Sequence, residues 1–563
     1  RRDPTEPLRS AWWRLGHSSR PNMVQGRGRS SHAESDVRDV FSTFDLFAAL
    51  GTQFLSNACI TSVTPVALLS AEAHKATSPL ATSGGIAAAT SIGMAISMAF
   101  TYKRSASWLD GKTPYVLFAL LLIAGSGCYV VAEAIGASLH VLISTRIAMS
   151  LGFGAIYCTK RRAAVERDPR QREYLFLLLE LASSSGMASG PMLTGVMLLV
   201  LPTAWQSATL LVPALVIMIA TGIFLVGLLA MPIDVPLHPA PASDWALDPA
   251  SGPTDGSASS EEDGTSQVGL VAMPSGTAKP PALEAEPHEV RPPVWASAVV
   301  VASCLSFGVG RNFLKFGFES ALVVVYDRQL GFSSGVAGII AGSCALAGLA
   351  LVVCWKVRGQ SRLGLKSTTL LFASEVLAFL SALLMLASSR RVLGRIFHVA
   401  ARRTNALLGL TLLSSVAFYP AMYLGAALGN SRPIVYAQPG HRLLSRDAII
   451  AQQDLVQTTL GKALGMVFCR KALGEGDHVH LSGLGSLFLV IMTAQAVIIG
   501  LGWSPETTLR RCRRSTPAAA ELEEREQGPL LSSTHDESRN ASGLNLALEN
   551  YTGEPTAPGD KPG

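Results

Sequence analysis

The sequence is dominated by twelve apolar stretches, six on each side of one long polar segment. Each is close to the roughly 20 residues that a helix needs to cross about 30 Å of hydrocarbon. The pattern predicts an all-α membrane protein with twelve transmembrane helices. The predicted spans are Phe41–Leu69, Leu80–Tyr102, Tyr115–Ala134, Leu139–Lys160, Tyr174–Leu201, Ser207–Met231, Val294–Tyr326, Ser333–Trp355, Ser367–Ala387, Ala406–Leu428, Ala448–Cys469 and Leu481–Trp503.

The composition agrees with this interpretation. Hydrophobic residues make up 49% of the chain, charged residues 15%, and the mean hydropathy is +0.34. In such a chain the net charge of +6 says little about nucleic acid. Most cysteines fall inside the predicted spans without paired spacing, so we expect apolar packing residues and neither a metal site nor a redox motif. The sequence predicts no cofactor, and the bilayer is the expected partner.

Three polar segments lie outside the predicted spans. Residues 1–40 are basic and rich in Ser and Gly, and they lack the apolar core of a secretory signal. Residues 232–293 are rich in Pro, Ala, Ser and acidic residues, a composition that predicts a disordered linker. Residues 504–563 begin basic and become acidic, and we expect a disordered tail. The six-helix halves are therefore predicted at 41–231 and 294–503.

The distribution of Lys and Arg predicts how the spans are oriented. In the first half these residues concentrate at 103–112 and at 160–172, while the alternate loops hold almost none. Both termini, the linker and the tail are therefore predicted to be cytosolic. The loop at 389–404 is an exception, since it carries five Arg residues on the predicted outer side.

Two spans contain motifs of a known group of carriers. Residues 146–154 in span four read RIAMSLGFG, and residues 186–195 in span five read GMASGPMLTG. They resemble the arginine–glycine and glycine–proline motifs of the major facilitator superfamily, and residues 108–114 are a degenerate version of its basic loop after span two. The resemblance implies a major-facilitator-type fold, with two six-helix halves around a central cavity. The motif residues are Arg146, Gly152, Gly154, Gly186, Gly190, Pro191, Gly195, Asp110 and Lys112.

Two further segments resemble one branch of that superfamily. Residues 313–320 read FLKFGFES and residues 374–379 read SEVLAF, which is similar to the SPX-MFS vacuolar phosphate transporters and the lysosomal ceroid-lipofuscinosis carrier. Residues 160–162, Lys-Arg-Arg, resemble the paired arginines of that branch. The resemblance implies an organellar carrier with inorganic phosphate as the leading substrate. No segment of this sequence resembles an SPX domain.

Charged residues inside the spans are the candidate site residues, because an ionised group at mid-bilayer costs about 2.5–3.5 kcal/mol and should face a cavity or a partner. Arg311, Lys315 and Glu319 are spaced four apart and share one face of span seven. Their excess positive charge suits an anion, and Glu319 could pair with Lys315 or take a proton. The alternative is a helix-end cluster that snorkels to the headgroups.

Spans four, five, nine and eleven add further candidates. Arg146 either faces the solute route or pins the first half through hydrogen bonds to carbonyls. Asp454 and Lys462 form a one-face pair eight residues apart in span eleven. Glu375 is either a proton carrier or interfacial. The sequence thus predicts substrate binding by Arg146, Arg311, Lys315 and Lys462, and proton coupling by Glu319, Glu180 and Asp454.

The glycine–proline motif of span five has a mechanical interpretation. Pro191 removes a backbone hydrogen bond, and the flanking glycines permit close helix contact and bending. We expect a hinge and seal here, not a ligand site.

Together these features predict a secondary transporter for a small anionic solute, with phosphate favoured and proton coupling by alternating access. A chloride or organic-anion channel or carrier would also use a basic path. A non-transporting sensor or scaffold could use the linker and tail to bind partners. An enzyme is not expected, since no His/Asp or Ser/His constellation converges near a helix end.

The tail contains a candidate sorting signal. Glu526 lies four residues before the Leu530–Leu531 pair, the spacing of the acidic-dileucine signals that adaptor proteins bind on lysosomal and vacuolar membrane proteins. The alternative is an ordinary disordered stretch. The signal predicts a vacuolar or lysosomal membrane location, with the plasma membrane as the other possibility.

Overall fold

The computed structural model describes ten stretches of the chain, and within them it contains helices and turns but no β-strand. The predicted N-terminal segment, linker residues 232–292, loop residues 389–403, tail residues 515–563 with the sorting signal, and Asp110 lie outside these stretches. Residues 504–514, which we expected to begin the disordered tail, instead continue the last helix. The described residues are 43–104, 106–109, 111–165, 169–201, 210–231, 293–358, 367–388, 404–438, 440–474 and 481–514.

Twelve helical spans occur in the described residues, and each overlaps one of the predicted spans. Several of them are interrupted or extended by a short helix of another type. In order, α1 to α12 are Thr43–Ser62 with Ala67–Ala73; Pro79–Tyr102; Thr113–Ala134; Leu139–Ser150, Leu151–Phe153 and Ala155–Val165; Pro169–Val200; Val212–Ala230; Val294–Val324 with Val325–Gln329; Ser334–Arg358; Ser367–Ala387; Thr404–Ser431 with Arg432–Tyr436; Arg446–Val456, Gln457–Ala463 and Leu464–Ala472; and Leu481–Arg514.

Ten of these twelve spans are long and apolar enough to cross a membrane, if the two parts of α1, bent by 41°, count as one. The protein is therefore an integral, multi-pass membrane protein. The remaining two described spans are α5, which carries Glu180 and several hydroxyl side chains, and α11, which a π-helical turn interrupts. A membrane helix can hold polar residues where it faces a cavity inside the protein. We therefore expect α5 and α11 to face a polar cavity inside the protein.

Local sequence explains where several spans begin. Proline occupies the first helical turn of α2, α3 and α6, at Pro79, Pro114 and Pro213. Its fixed φ suits this position, and its missing N–H is not needed there. At the start of α11 the Ser445 hydroxyl accepts a hydrogen bond from the backbone N–H of Ala448 at 3.3 Å.

The arginine–glycine motif lies in the interrupted part of α4. A Cβ added at Gly152 would lie 2.7 Å from the carbonyl oxygen of Phe118 in α3, and one added at Gly154 would lie 2.4 Å from the Thr101 hydroxyl in α2. No side chain fits in either place, so glycine lets α4 contact two neighbouring helices closely. In the basic loop, the ammonium of Lys112 donates to the carbonyl of Met231 at 3.2 Å.

The glycine–proline motif packs α5 against helices of both halves. A Cβ added at Gly186 would lie 2.0 Å from the Phe54 carbonyl oxygen in α1, and one added at Gly195 would lie 2.4 Å from the Gly335 carbonyl oxygen in α8. A Cβ added at Gly190 would likewise lie 2.3 Å from the hydroxyl oxygen of Thr61 in α1. The glycines thus allow close contact between helices, and α5 continues as one helix through Pro191. The hinge and seal stay a prediction.

Proline in α5 also leaves a carbonyl to be satisfied. Pro191 cannot donate to the carbonyl of Met187 four residues earlier. The Thr61 hydroxyl of α1 donates to that carbonyl at 3.0 Å. The missing helical hydrogen bond is thus replaced by one between helices.

Ion pairs identify the two ends of the bundle. At one end, here named the near face, Arg161 at the end of α4 pairs with Asp447 at the start of α11 at 3.4 Å. At the opposite end, the far face, Arg328 in the last turn of α7 pairs with Glu72 at the end of α1. The predicted orientation places the near face in the cytosol. The described residues within 43–231 and 298–502 belong to one compact unit, and all contacts discussed below lie within it.

Candidate functional site

A small polar cavity, with a volume of about 30 Å³, lies between the two halves of the bundle. Seven spans contribute to its wall: α1, α2, α4 and α5 from the first half, and α7, α10 and α11 from the second. The lining residues are Gln53, Met98, Ile156, Lys160, Phe176, Leu179, Glu180, Ser183, Asn312, Asn430, Asp454, Gln457, Thr458 and Lys462.

Two ion pairs cross the cavity from one half to the other. The Lys315 ammonium in α7 donates to a Glu180 carboxylate oxygen in α5 at 2.6 Å, and to the Ser184 hydroxyl at 3.3 Å. Lys160 in α4 pairs with Asp454 in α11, whose side chain is 1% exposed. Burial removes water from these charges, so each needs its partner. Lys315 therefore pairs with the acid of the opposite half and not with Glu319 on its own helix.

Lys462 is the cavity cation without an acidic partner among the described residues. Its ammonium lies 3.4 Å from the amide oxygen of Asn57 and 4.7 Å from the centre of the Phe316 ring. It belongs to the π-helical turn Gln457–Ala463, a distortion that often occurs at functional sites. Three lysines thus face two acids around the cavity, and Lys462 is the one that forms no ion pair with a described acid.

Sequence reasoning missed the neutral amides of the cavity wall. The Asn312 side chain donates to the Gln457 amide oxygen at 3.2 Å, and Gln457 donates to the Asn430 amide oxygen at 3.2 Å. Gln53 on the opposite wall donates to the Thr159 hydroxyl at 3.2 Å. The signal that could have found them is an amide inside an apolar span, which needs a polar partner just as a charge does.

Arg146 is buried inside the first half and does not line the cavity. Its guanidinium donates to the Thr90 hydroxyl at 2.8 Å and to the Cys59 carbonyl at 3.3 Å, and it lies 5.5 Å from the centre of the Tyr129 ring. It therefore links α4 to α1, α2 and α3. This geometry favours the structural pin over direct solute contact.

Arg311 has a corresponding place in the second half. It pairs with Glu375 and donates to the Ser374 hydroxyl at 2.9 Å and to the Ala421 carbonyl at 3.2 Å. Arg311 is 1% exposed and Glu375 7% exposed, so neither snorkels to the membrane surface nor sits at an interface. Glu375 neutralises Arg311, which leaves Lys315 as the cation of α7 nearest the cavity.

Glu319 lies behind Lys315 and is fully buried. The Tyr419 hydroxyl donates to one of its oxygens, and the other oxygen has no hydrogen-bond partner among the described residues. A carboxyl group with one unused oxygen can hold a proton there without losing a contact. Asp454 also has one oxygen without a partner in the described part of the chain.

Among the described residues, no three His, Cys, Asp or Glu side chains lie close enough together to hold a metal ion. The chemistry that the cavity does offer is charge and hydrogen bonding. Its cations can attract an anion, its amides can donate to or accept from it, and its acids can exchange protons.

No protein-family model matches the chain, and no curated protein matches its sequence. Solved structures do match. The D-xylose–proton symporter is 14% identical over 80% of this chain and 96% of its own, with a TM-score of 0.52. A proton-dependent oligopeptide transporter is 11% identical over 83% and 99%, with a TM-score of 0.54. The chain has the major facilitator fold.

A third solved structure is similar over nearly its whole length. It is the human organic anion transporter MFSD10 (TETRAN), 15% identical, covering 80% of this chain and 98% of that one, with a TM-score of 0.46. The major facilitator fold accounts for the two six-helix halves, and the cavity described above lies between them.

Proposed function

We propose that the protein is a secondary active transporter of a small anionic solute. The observation that carries the proposal is the charge balance of the cavity, where Lys462 has no acidic partner in the described residues. A solute anion would supply the missing negative charge. The solved structures of the same fold include two proton-coupled carriers, which supports a transport function.

Inorganic phosphate is the first candidate solute. The similarity of residues 313–320 and 374–379 to phosphate carriers favours it. The cavity amides support it as well, since an amide oxygen accepts from a protonated phosphate oxygen and an amide N–H donates to an ionised one. The cavity cations that could bind it are Lys462 and, once released from their acids, Lys315 and Lys160.

Proton coupling would act through the acids that hold these lysines. When Glu180 takes a proton it loses its charge, and its attraction for Lys315 weakens, so the ammonium can turn to the anion. Loss of the proton restores the pair and favours release of the anion. Glu319 and Asp454 each have one oxygen without a described partner and are the further proton carriers in this scheme.

The decisive measurement is flux into proteoliposomes that contain the purified full chain. Phosphate, sulphate, chloride and carboxylates are compared with and without a pH gradient. Saturable phosphate uptake that rises with the proton gradient supports the proposal. Flux that does not saturate would favour a channel, and absence of flux for every solute would favour a sensor or scaffold.

Two substitutions connect the flux to the site. Lys462→Gln should raise the Michaelis constant for phosphate at least tenfold, whereas Lys471→Gln, at an exposed position nine residues later, should leave it unchanged. Glu180→Gln should abolish accumulation driven by a pH gradient and retain exchange of labelled for unlabelled phosphate. Equal effects of Lys462→Gln and Lys471→Gln on the Michaelis constant would contradict the assignment of Lys462 to the anion-binding site.

An acidic organelle is the proposed location, because a proton gradient across its membrane would drive the transport. The proposal depends on the acidic-dileucine pattern of the tail. Replacing Leu530 and Leu531 with Ala in a tagged chain should redirect the protein to the plasma membrane. If the variant stays in the organelle, Leu530 and Leu531 are not the sorting signal. If the wild-type chain is already at the cell surface, the proposed organellar location is wrong.

A further inference from the structure

Arg470 in the last part of α11 is a fully buried cation outside the cavity. Its Nε donates to the hydroxyl of Ser320 at 2.7 Å and to the carbonyl of the same residue at 3.2 Å. One terminal nitrogen, Nη2, donates to the carbonyl of Thr64 at 3.0 Å. The other, Nη1, has no hydrogen-bond partner in the described residues.

No described carboxylate forms an ion pair with Arg470. A buried charge with only neutral partners is costly, and a guanidinium with an unused N–H is more so. Inside a membrane span, such a charge is by default a candidate for function. A buried arginine of this kind either stabilises the fold or binds a charged ligand in another conformation of the protein.

The position of its partners separates Arg470 from the buried arginine of the first half. Arg146 bonds to Cys59 and Thr90, both in its own half, so these contacts can persist when the halves move. Arg470 bonds to Thr64 of the first half, in the bend between the two parts of α1 near the far face. That bond must break when the halves separate at the far face.

Arg470 also repeats the geometry of Lys462. Lys462 reaches across the seam to Asn57 of α1, and Arg470, eight residues later, reaches across to Thr64, seven residues further along the chain. At 1.5 Å per residue the two cations are about 12 Å apart along the helix. Neither forms an ion pair with a described acid.

We propose that Arg470 is a second anion-binding group, which takes the solute when the far face is open. Separation of the halves there releases Nη2 from the Thr64 carbonyl, so two terminal nitrogens become free on one edge of the guanidinium. That planar fork suits the paired oxygens of an oxyanion such as phosphate or a carboxylate. Lys462 then receives the anion as the far face closes. This inference rests on the proposed anion transport.

The test uses the full chain in proteoliposomes whose sidedness is determined by the accessibility of an N-terminal tag. The Michaelis constant for phosphate is measured separately from each face, without a pH gradient. Arg470→Gln should raise the far-face constant at least tenfold and change the near-face constant less than threefold. Lys471→Gln is the matched control and should change neither. Without a gradient, the ratio of maximal rate to Michaelis constant must be equal for transport from the two faces. Transport from the near face should therefore show a lower maximal rate, because its Michaelis constant changes little.

Two results would overturn the inference while leaving the proposed function intact. They are unchanged constants in Arg470→Gln, or an equal rise at both faces, in each case with a wild-type chain that transports phosphate. If the wild-type chain transports no anion, the proposed function itself is wrong.

A second variant keeps Arg470 in place and so avoids any folding defect of its loss. Ser320→Cys puts a thiol where the hydroxyl now accepts from Arg470 Nε. A negatively charged thiol reagent applied at the far face should label this cysteine faster than a positively charged one, and saturating phosphate should slow the labelling at least threefold relative to a chloride control. Labelling that phosphate does not slow, in a Ser320→Cys chain that still transports, contradicts the proposal.

Discussion

The far face and the near face are closed by different chemistry. At the far side, α5 and α8 meet through glycines, and a Cβ added at Gly342 would lie 2.4 Å from the Ala188 carbonyl oxygen. At the near side, the halves meet through the ion pairs Lys160–Asp454 and Arg161–Asp447. The far seam combines glycine packing with one described ion pair, Arg328–Glu72, whose side chains are more than a third exposed, whereas the near seam has two described pairs, one of them with a buried acid.

The difference shows how two halves can be held together and still come apart. Backbone contact between small residues gains from dispersion and close packing, and it changes little with the protonation of side chains. Charge pairs, in contrast, weaken when an acid takes a proton or when a competing ion arrives. The near seam, with its buried pair, should therefore respond more strongly to protons and anions than the far seam, whose one described pair is exposed to solvent and contributes little.

The largest expected effect is the loss of the buried near-face pair. Asp454→Asn leaves Lys160 without its acid, and breaking a buried pair typically costs about 3–5 kcal/mol. We expect transport to fall at least tenfold and the thermal midpoint of the detergent-solubilised protein to drop. The charge swap Lys160→Asp with Asp454→Lys should recover part of both. A swap as defective as the single change would show that the seam depends on more than charge.

A smaller effect on stability is expected at the far seam, where two glycine-to-alanine changes should shift the thermal midpoint differently. Gly342→Ala places a methyl against backbone, and such overpacking costs about 1–3 kcal/mol. Gly222→Ala in α6 is the matched control, because no described atom outside the adjoining helix backbone lies within 4 Å of the added Cβ. That change should be neutral or stabilise by up to about 1 kcal/mol, the helix-propensity difference between the two residues. The thermal midpoints measure both, and equal shifts would contradict the packed seam.

The smallest effect is expected at the exposed near-face pair. The Asp447 side chain is 47% exposed, and surface pairs contribute about 0–1 kcal/mol. Asp447→Asn should therefore change the thermal midpoint little, and less still at about 0.5 M salt, a concentration that screens surface charges. A loss comparable to that of Asp454→Asn would mean that the two near-face pairs act as one network.

The sequence predicted the transmembrane helices well, because a run of about 20 apolar residues has few other stable environments. All twelve predicted spans overlap a helical span in the described residues. Their interruptions were not predicted, including the π-helical turn Gln457–Ala463, because a local change in helical pitch leaves little trace in hydropathy. The glycine motif of α5 was predicted as a seal, and its glycines lie against α1 and α8.

The charged residues were predicted as a set, but their partners were not. Intramembrane charges are costly, so the sequence pointed to Arg311, Lys315 and Glu319 without the fold. The i, i+4 spacing left open whether Glu319 pairs with Lys315 or takes a proton, and in the structure Lys315 pairs with Glu180 of the other half. Helix spacing describes one helix at a time, so it could not show which acid of another helix lies closer.

The sequence by itself determined which segments can lie in the membrane and that each buried charge is costly, because both follow from the side chains alone. It also determined that α5 must contact other helices closely, because its glycines recur along the helix. The tertiary structure alone decided which charges neutralise one another. Arg311 meets Glu375 within its half, Lys315 meets Glu180 across the cavity, and Lys462 meets no described acid. The physical reason is that an ion pair depends on separations of a few ångströms between helices, which only the packing of the whole bundle sets.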